Sequence, residues 1–128
     1  MNRVKGDLVE LALKRDFDVI IHGCNCFGQM GTGIAASIKA VFPEAYNADV
    51  YTKKGDKEKL GKYSTATVEN NGHQITIVNA YTQFHYRGQY DNKVNYDALK
   101  KVFWKIKNDF AGRRIGYPLI GAGLAGVD

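Results

Sequence analysis

His22, Cys24 and Cys26 alternate along one segment, so an extended chain would carry all three on one side. Imidazole and thiol are zinc ligands, and a histidine can also move protons near neutral pH. The spacing H-x-C-x-C lacks a fourth ligand at a recognisable distance, because His73 and His85 fall in other segments. No metal and no cofactor is therefore expected, and Cys24 and Cys26 read as small buried hydrophobes. His22 stays open between a proton carrier and a core or strand-end histidine bonded to backbone. Two glycine-rich segments, 28–33 and 121–126, each follow an apolar run, Val19–Ile21 and Tyr117–Ile120. Small residues at strand ends let a backbone approach a phosphate and offer it free N–H groups. Together the two loops imply facing walls of one cleft for a phosphate-bearing ligand.

Other elements must position these residues. Asp7 and Glu10 form a capping-box arrangement that opens a short helix to about Lys14. Asp18–His22 is a strand whose consecutive branched residues suit a sheet covered on both faces. Ile34, Ala35, Ile38, Val41 and Phe42 share one helical face, and Pro43 ends that helix. A second short helix covers Glu44–Tyr51, followed by an exposed lysine-rich loop. Ser64–Glu69 and Gln74–Ala80 are strands joined through Asn70-Asn71-Gly72, a hairpin signal. An irregular aromatic stretch, Tyr81–Asp91, precedes a long amphipathic helix marked by Tyr96, Leu99, Val102, Phe103, Ile106 and Phe110 and closed by Gly112. Arg114–Ile120 is the last strand, and Met1–Lys5 a short edge strand. Alternating strands and helices give an α/β class with a mixed sheet.

At 128 residues the chain is expected to be one domain, 1–128. No apolar run approaches the roughly 20 residues that span a bilayer, and no secretory leader is visible, so a reducing cytoplasm is the expected location. The net charge of +5 suits an anionic ligand. The lysines are dispersed among acidic residues, which argues against a nucleic-acid footprint. Gly121–Gly126 spells the dinucleotide fingerprint G-x-G-x-x-G, but that motif needs a following helix and a later acidic residue. Neither loop ends in Gly-Lys-Ser/Thr, so a Walker A loop is excluded as well.

The segment from Ile21 to Ala35 resembles the first ligand loop of macro domains, the ADP-ribose-binding family. Its Gly-x-Met-Gly-x-Gly-Ile-Ala spelling is similar to the branch holding ADP-ribose 1″-phosphate phosphatases and ADP-ribosyl hydrolases. Four further motifs occur in the family's order: Gly6-Asp7-Leu8, Asn79–Gln83, Tyr96–Leu99 and Pro118–Gly126. The resemblance implies a three-layer α/β/α fold. It implies that Asp7 accepts from the adenine amino group and that Leu8 offers backbone contact. Asn25 would bind hydroxyls of the distal ribose, while Gly31, Thr32, Gly33 and Ile34 hold that ribose and a phosphate. Gly121, Ala122, Gly123, Leu124, Ala125 and Gly126 would close over the diphosphate. His22, Asn25 and Asp128 are the expected catalytic residues, His22 and Asp128 handling protons. Tyr81 and Gln83 are weaker candidates for a ring or amide near the ligand.

The implied activity is hydrolysis at the distal ribose, first of all dephosphorylation of ADP-ribose 1″-phosphate. The alternatives are removal of ADP-ribose from a protein or nucleobase, a non-catalytic ADP-ribose reader, and, outside the resemblance, single-stranded nucleic-acid binding through the lysines and tyrosines. Macro domains usually continue past the last glycine loop with another helix, which this chain lacks. Truncation and completion by another copy both stay open, and the second implies a homo-oligomer.

Overall fold

A computed structural model describes residues 7–85 and 93–118. Among these residues four strands form one mixed sheet: β1 (Val19–Cys24), β2 (Tyr63–Asn70), β3 (His73–Tyr81) and β4 (Ile115–Gly116). Their order is β2-β3-β1-β4, with β3 and β4 parallel to β1 and β2 antiparallel to β3. The register pairs His22 with Asn79 and Cys24 with Tyr81. The hairpin turns where expected, with Asn71 at φ 51° and Gly72 at φ 80°, the left-handed pair that a two-residue turn demands.

Helices cover both faces, which is the three-layer arrangement expected. On one side lie α1 (Leu8–Leu13), α2 (Gly33–Val41) and α3 (Pro43–Tyr51), where Leu8, Val9, Ile38 and Ala45 pack on Ile20, Ile75 and Ile77. On the other lies α4 (Tyr96–Asp109), whose Leu99, Val102 and Ile106 pack on Val19, Ile21, Val78 and Ala80. Successive β1 residues point to opposite layers, so Ile20, His22 and Cys24 face the α3 side. Asp18 holds the far end of β4: its carboxylate accepts from the Arg114 backbone N–H and from Nε and Nη2. That guanidinium holds the Asp18 carboxyl down at about 2.

Several expectations shift. β1 runs two residues beyond His22, which places Asn25 at the strand's end. Val41 is exposed, and Phe42 fills the core from the C-cap instead. Tyr96 lies on the solvent side of α4. The lysine-rich loop contains a 3₁₀ turn, Lys57–Lys59, and Lys59 is buried. The expected strand at Met1–Lys5, most of the aromatic stretch, Gly121–Gly126 and Asp128 lie outside the described residues.

Candidate functional site

The C-terminal ends of β1 and β3 carry the first glycine loop. Asn25 builds it: Oδ1 accepts from the Phe27 and Gln29 N–H groups at 2.9 and 3.3 Å, and Nδ2 donates to Gln29 O at 2.8 Å. The amide is 8% exposed and keeps one N–H beyond these bonds. The reading of Asn25 as a turn residue is thus met, with one donor to spare.

Neighbouring segments clamp the loop. Cys26 O accepts from Gly55 N–H at 2.7 Å and from Lys59 Nζ at 3.1 Å, while Cys26 N–H donates to Phe84 O at 2.9 Å. The Phe27 ring stacks on His85 at 4.8 Å and meets Phe84 edge-on. Gly55 sits at φ 75° beneath that ring, where a Cβ would come within 3.1 Å of it. Met30 then anchors the loop in the core beside Leu8 and Ile38.

Beyond Met30 the chain emerges, and Gly31, Thr32 and Gly33 are all exposed. Gly33 opens α2 at φ 59°, and the Thr32 side chain makes no capping bond. The first amides of α2 therefore have no intrahelical acceptor and face solvent at the helix's positive end, a setting that favours anions. Ile34 is half-buried and packs into the α1–α2 core.

Asp7 caps α1 through one oxygen alone. Oδ1 accepts from Val9 and Glu10 N–H at 2.8 and 3.2 Å, leaving Oδ2 open among the described residues. A capping role and a ligand contact are therefore compatible. Leu8 is buried and joins the same cluster as Met30 and Ile34, tying the Asp7 region to the glycine loop.

His22 is not in this rim. It is wholly buried beneath α3, and its ring meets Asn79 Oδ1 at 2.7 Å. Asn79 Nδ2 donates to Ala45 O at 2.9 Å and Ser64 Oγ at 3.1 Å, so its carbonyl faces His22 and Nε2 must be the protonated nitrogen. Burial pushes the His22 pKa down to about 4, with the Asn79 bond working the other way. A neutral imidazole sealed from solvent has no path to a substrate, so the proton-carrier expectation gives way to a structural role. The bond partner is a side chain, not the expected backbone group.

A directed chain of donors continues from there. Asn79 donates to Ser64, Ser64 lies 2.8 Å from the Tyr81 hydroxyl, and Tyr81 donates to Asp49 Oδ1 at 2.7 Å. Burial raises the pKa values of Asp49 and Tyr81. Cys24 and Cys26 pack against Tyr81 as expected of small hydrophobes, with burial pushing Cys26 up to about 11. Cys26 lies past the end of β1, so it does not continue the strand face of His22 and Cys24. Gln83, weakly expected near the ligand, spends its amide on His85 O at 2.9 Å. Nothing in the sequence marked Asp49 or Lys59 as interior. The one available signal is the four-residue spacing of Ala45 and Asp49, which puts the carboxylate on the buried side of α3.

Among the described residues no cluster of three or more His, Cys, Asp and Glu side chains is arranged to hold a metal, and no helix is long and apolar enough to cross a membrane.

Residues 21–128 match the sequence profile of the macro domain family. An uncharacterized 17.5 kDa protein in the tk-vs intergenic region of Enterobacteria phage T4 is 37% identical over 127 residues, 94% of this chain and 77% of that protein. A DNA ADP-ribosyl glycohydrolase of Mycobacterium tuberculosis is 28% identical across 96% of this chain, which spans 34% of the enzyme. An ADP-ribose 1″-phosphate phosphatase of Aspergillus oryzae is 40% identical over 47 residues, 37% of this chain and 22% of that protein. The macrodomain of Thermus aquaticus DarG superposes with a TM-score of 0.69 at 21% identity, covering 93% of this chain and 76% of that one. Thermosipho africanus DarTG in complex with ADP-ribose gives 0.64 at 19% identity, over 90% and 32%. At these identities the superpositions establish the shared fold.

Proposed function

Because this chain belongs to the macro domain family, we propose that it binds ADP-ribose at the C-terminal edge of the sheet and hydrolyses a bond to the distal ribose. The observation that carries this reading is the uncapped, solvent-facing N-terminus of α2, held out by a loop that Asn25 and Cys26 tie down. Its first-turn amides, without an acceptor in the helix, suit a diphosphate or distal-ribose oxygens. Asp7 Oδ2 accepts from the adenine amino group, and the Leu8 backbone flanks the ring. The spare Asn25 N–H meets a distal-ribose hydroxyl, and Gly121–Gly126 supplies the facing wall.

The reaction we favour is release of ADP-ribose from a nucleobase. The DNA ADP-ribosyl glycohydrolase aligns across 96% of this chain, whereas the phosphatase aligns over 37%. Water attacks C1″, the bond to the base nitrogen breaks, and the base leaves with a proton. Asp128 orients or deprotonates that water, and fixed placement of the ribose supplies much of the acceleration. His22 takes no part.

Incubation with an ADP-ribosylated oligonucleotide and, separately, with ADP-ribose 1″-phosphate tests this. Free ADP-ribose should appear from the oligonucleotide, with the rate falling at least about tenfold in Asp128→Asn. Phosphate release alone would replace the glycohydrolase reading with a phosphatase. Binding without turnover of either substrate would leave a reader module.

A further inference from the structure

The solvent side of α4 carries a pattern the cleft does not use. Trp104, the chain's single tryptophan, is 68% exposed. A lone exposed ring is ordinary on a protein surface, and what distinguishes this one is its setting among cations. Lys100 and Lys101 lie four and three residues before it and Lys107 three after, so all three are its neighbours on the helix surface. Tyr96, 66% exposed, stands two turns nearer the helix start in the same row as Lys100 and Trp104. The acidic residues of the helix are Asp97, exposed in the first turn, and Asp109, which accepts from the Tyr63 hydroxyl at 2.6 Å.

The fold also gathers lysines that the sequence disperses. The stem of Lys101 lies across Gly61, where an added Cβ would come within 2.8 Å of Lys101 Cδ. The lysine-rich segment containing exposed Lys62 thus adjoins α4. The helix begins at the cleft end of the sheet: Asn95 N–H donates to Thr82 O, and Thr82 N–H to Cys24 O. From Tyr96 to Lys107 the row runs about 16 Å away from that edge, at about 1.5 Å per residue.

We infer that this face of α4 is a docking track for single-stranded nucleic acid, with lysines along the phosphates and Trp104 stacked on a base. Flat rings among cations are the chemistry of sequence-tolerant strand binding, whereas an acidic peptide offers nothing planar to the indole. The track deepens the proposed function, and rests on it only in that the bound strand then presents its modified base to the cleft.

Unmodified oligo(dT) tests the track without using the cleft. It should quench the single tryptophan's fluorescence, and its affinity should fall as salt rises. Trp104→Ala should weaken binding roughly tenfold. Lys100→Gln with Lys107→Gln should flatten the salt slope by about 1.4, near 0.7 for each lost phosphate contact. Lys39→Gln, on the opposite layer, should leave oligo(dT) binding unchanged. All three variants should keep the wild-type response to ADP-ribose. The inference is overturned by absent quenching, by wild-type oligo(dT) affinity in the Trp104 and lysine variants, or by equal binding of polyglutamate or duplex DNA. A protein that binds oligo(dT) but not ADP-ribose would keep the track and remove the cleft reading.

Discussion

Two regions at the same end of the sheet use polar groups in opposite ways. Beneath α3, His22, Asn79, Ser64, Tyr81 and Asp49 bond one another in a chain that is buried except at the half-buried Ser64. Past the end of β1, the exposed rim from Gly31 to Gly33 leads into first-turn amides of α2 that nothing in the helix accepts. The side chains richest in chemistry are the ones sealed inside, and the proposed ligand surface is mostly glycine and backbone. Residue type alone therefore misassigns the work. The imidazole fastens α3 to the sheet through Asn79, while the loop with little side chain is the proposed ligand surface.

That contrast breaks down or sharpens under substitution. Asn79→Ala should have the largest effect, because it removes bonds to His22, Ala45 and Ser64 at once and strands the buried His22 N–H and the Ala45 carbonyl. A loss of about 3 kcal/mol in urea unfolding is expected. A value near zero would show that the interior chain does not hold the layers together.

Acid should act next most strongly, through His22. Its folded pKa of about 4 lies below the ordinary 6.5, so the unfolded chain binds this proton first. The stability contributed by neutral His22 is complete above about 6.5 and falls as pH drops towards about 4, by up to roughly 3 kcal/mol. Asp18 adds a further loss as pH falls from 3.8 through about 2. Asp49, with a raised pKa, works in the opposite sense. The His22 share is thus the difference in pH slope between wild type and His22→Gln, and parallel slopes would refute it.

Rim variants should divide differently between stability and binding. Asp7→Ala loses a helix cap worth about 1 kcal/mol and, if Oδ2 meets adenine, also weakens ADP-ribose binding. Thr32→Asp is the smallest in stability, a gain of about 0.5 kcal/mol from capping α2. Its carboxylate occupies the amides that the ligand needs, so affinity should drop roughly tenfold while the melting temperature rises. Unchanged affinity in this variant would move the phosphate site elsewhere.

Much of the frame was legible because its signals are local. The run Val19–Ile21, the Asn71-Gly72 turn, Pro43 after α2 and the Leu99–Val102–Ile106 stripe each declare an element from a few neighbours. The glycine loop was legible for the same reason. The interior chain was not, since it joins Asp49, Ser64 and Asn79 from three separate elements. Lys59 misled for a related reason: it sits in a charge-rich run, yet its ammonium is drawn inward to the Cys26 carbonyl, above the Tyr81 ring. His22 misled because alternation with Cys24 fixes a shared face and leaves open whether that face meets solvent or a helix. The lysines of α4 were visible on one helical stretch, but they read as a solvated face because net charge and linear dispersal do not report which aromatic rings stand beside them.

Calorimetric titration of the intact chain with ADP-ribose, alongside AMP and Thr32→Asp, tests the rim most directly. Saturable one-to-one heat is expected for ADP-ribose, with weaker binding of AMP, which lacks the second phosphate and distal ribose, and a reduced response in Thr32→Asp. A folded protein that gives no heat with ADP-ribose, or that binds AMP equally well, would contradict the account.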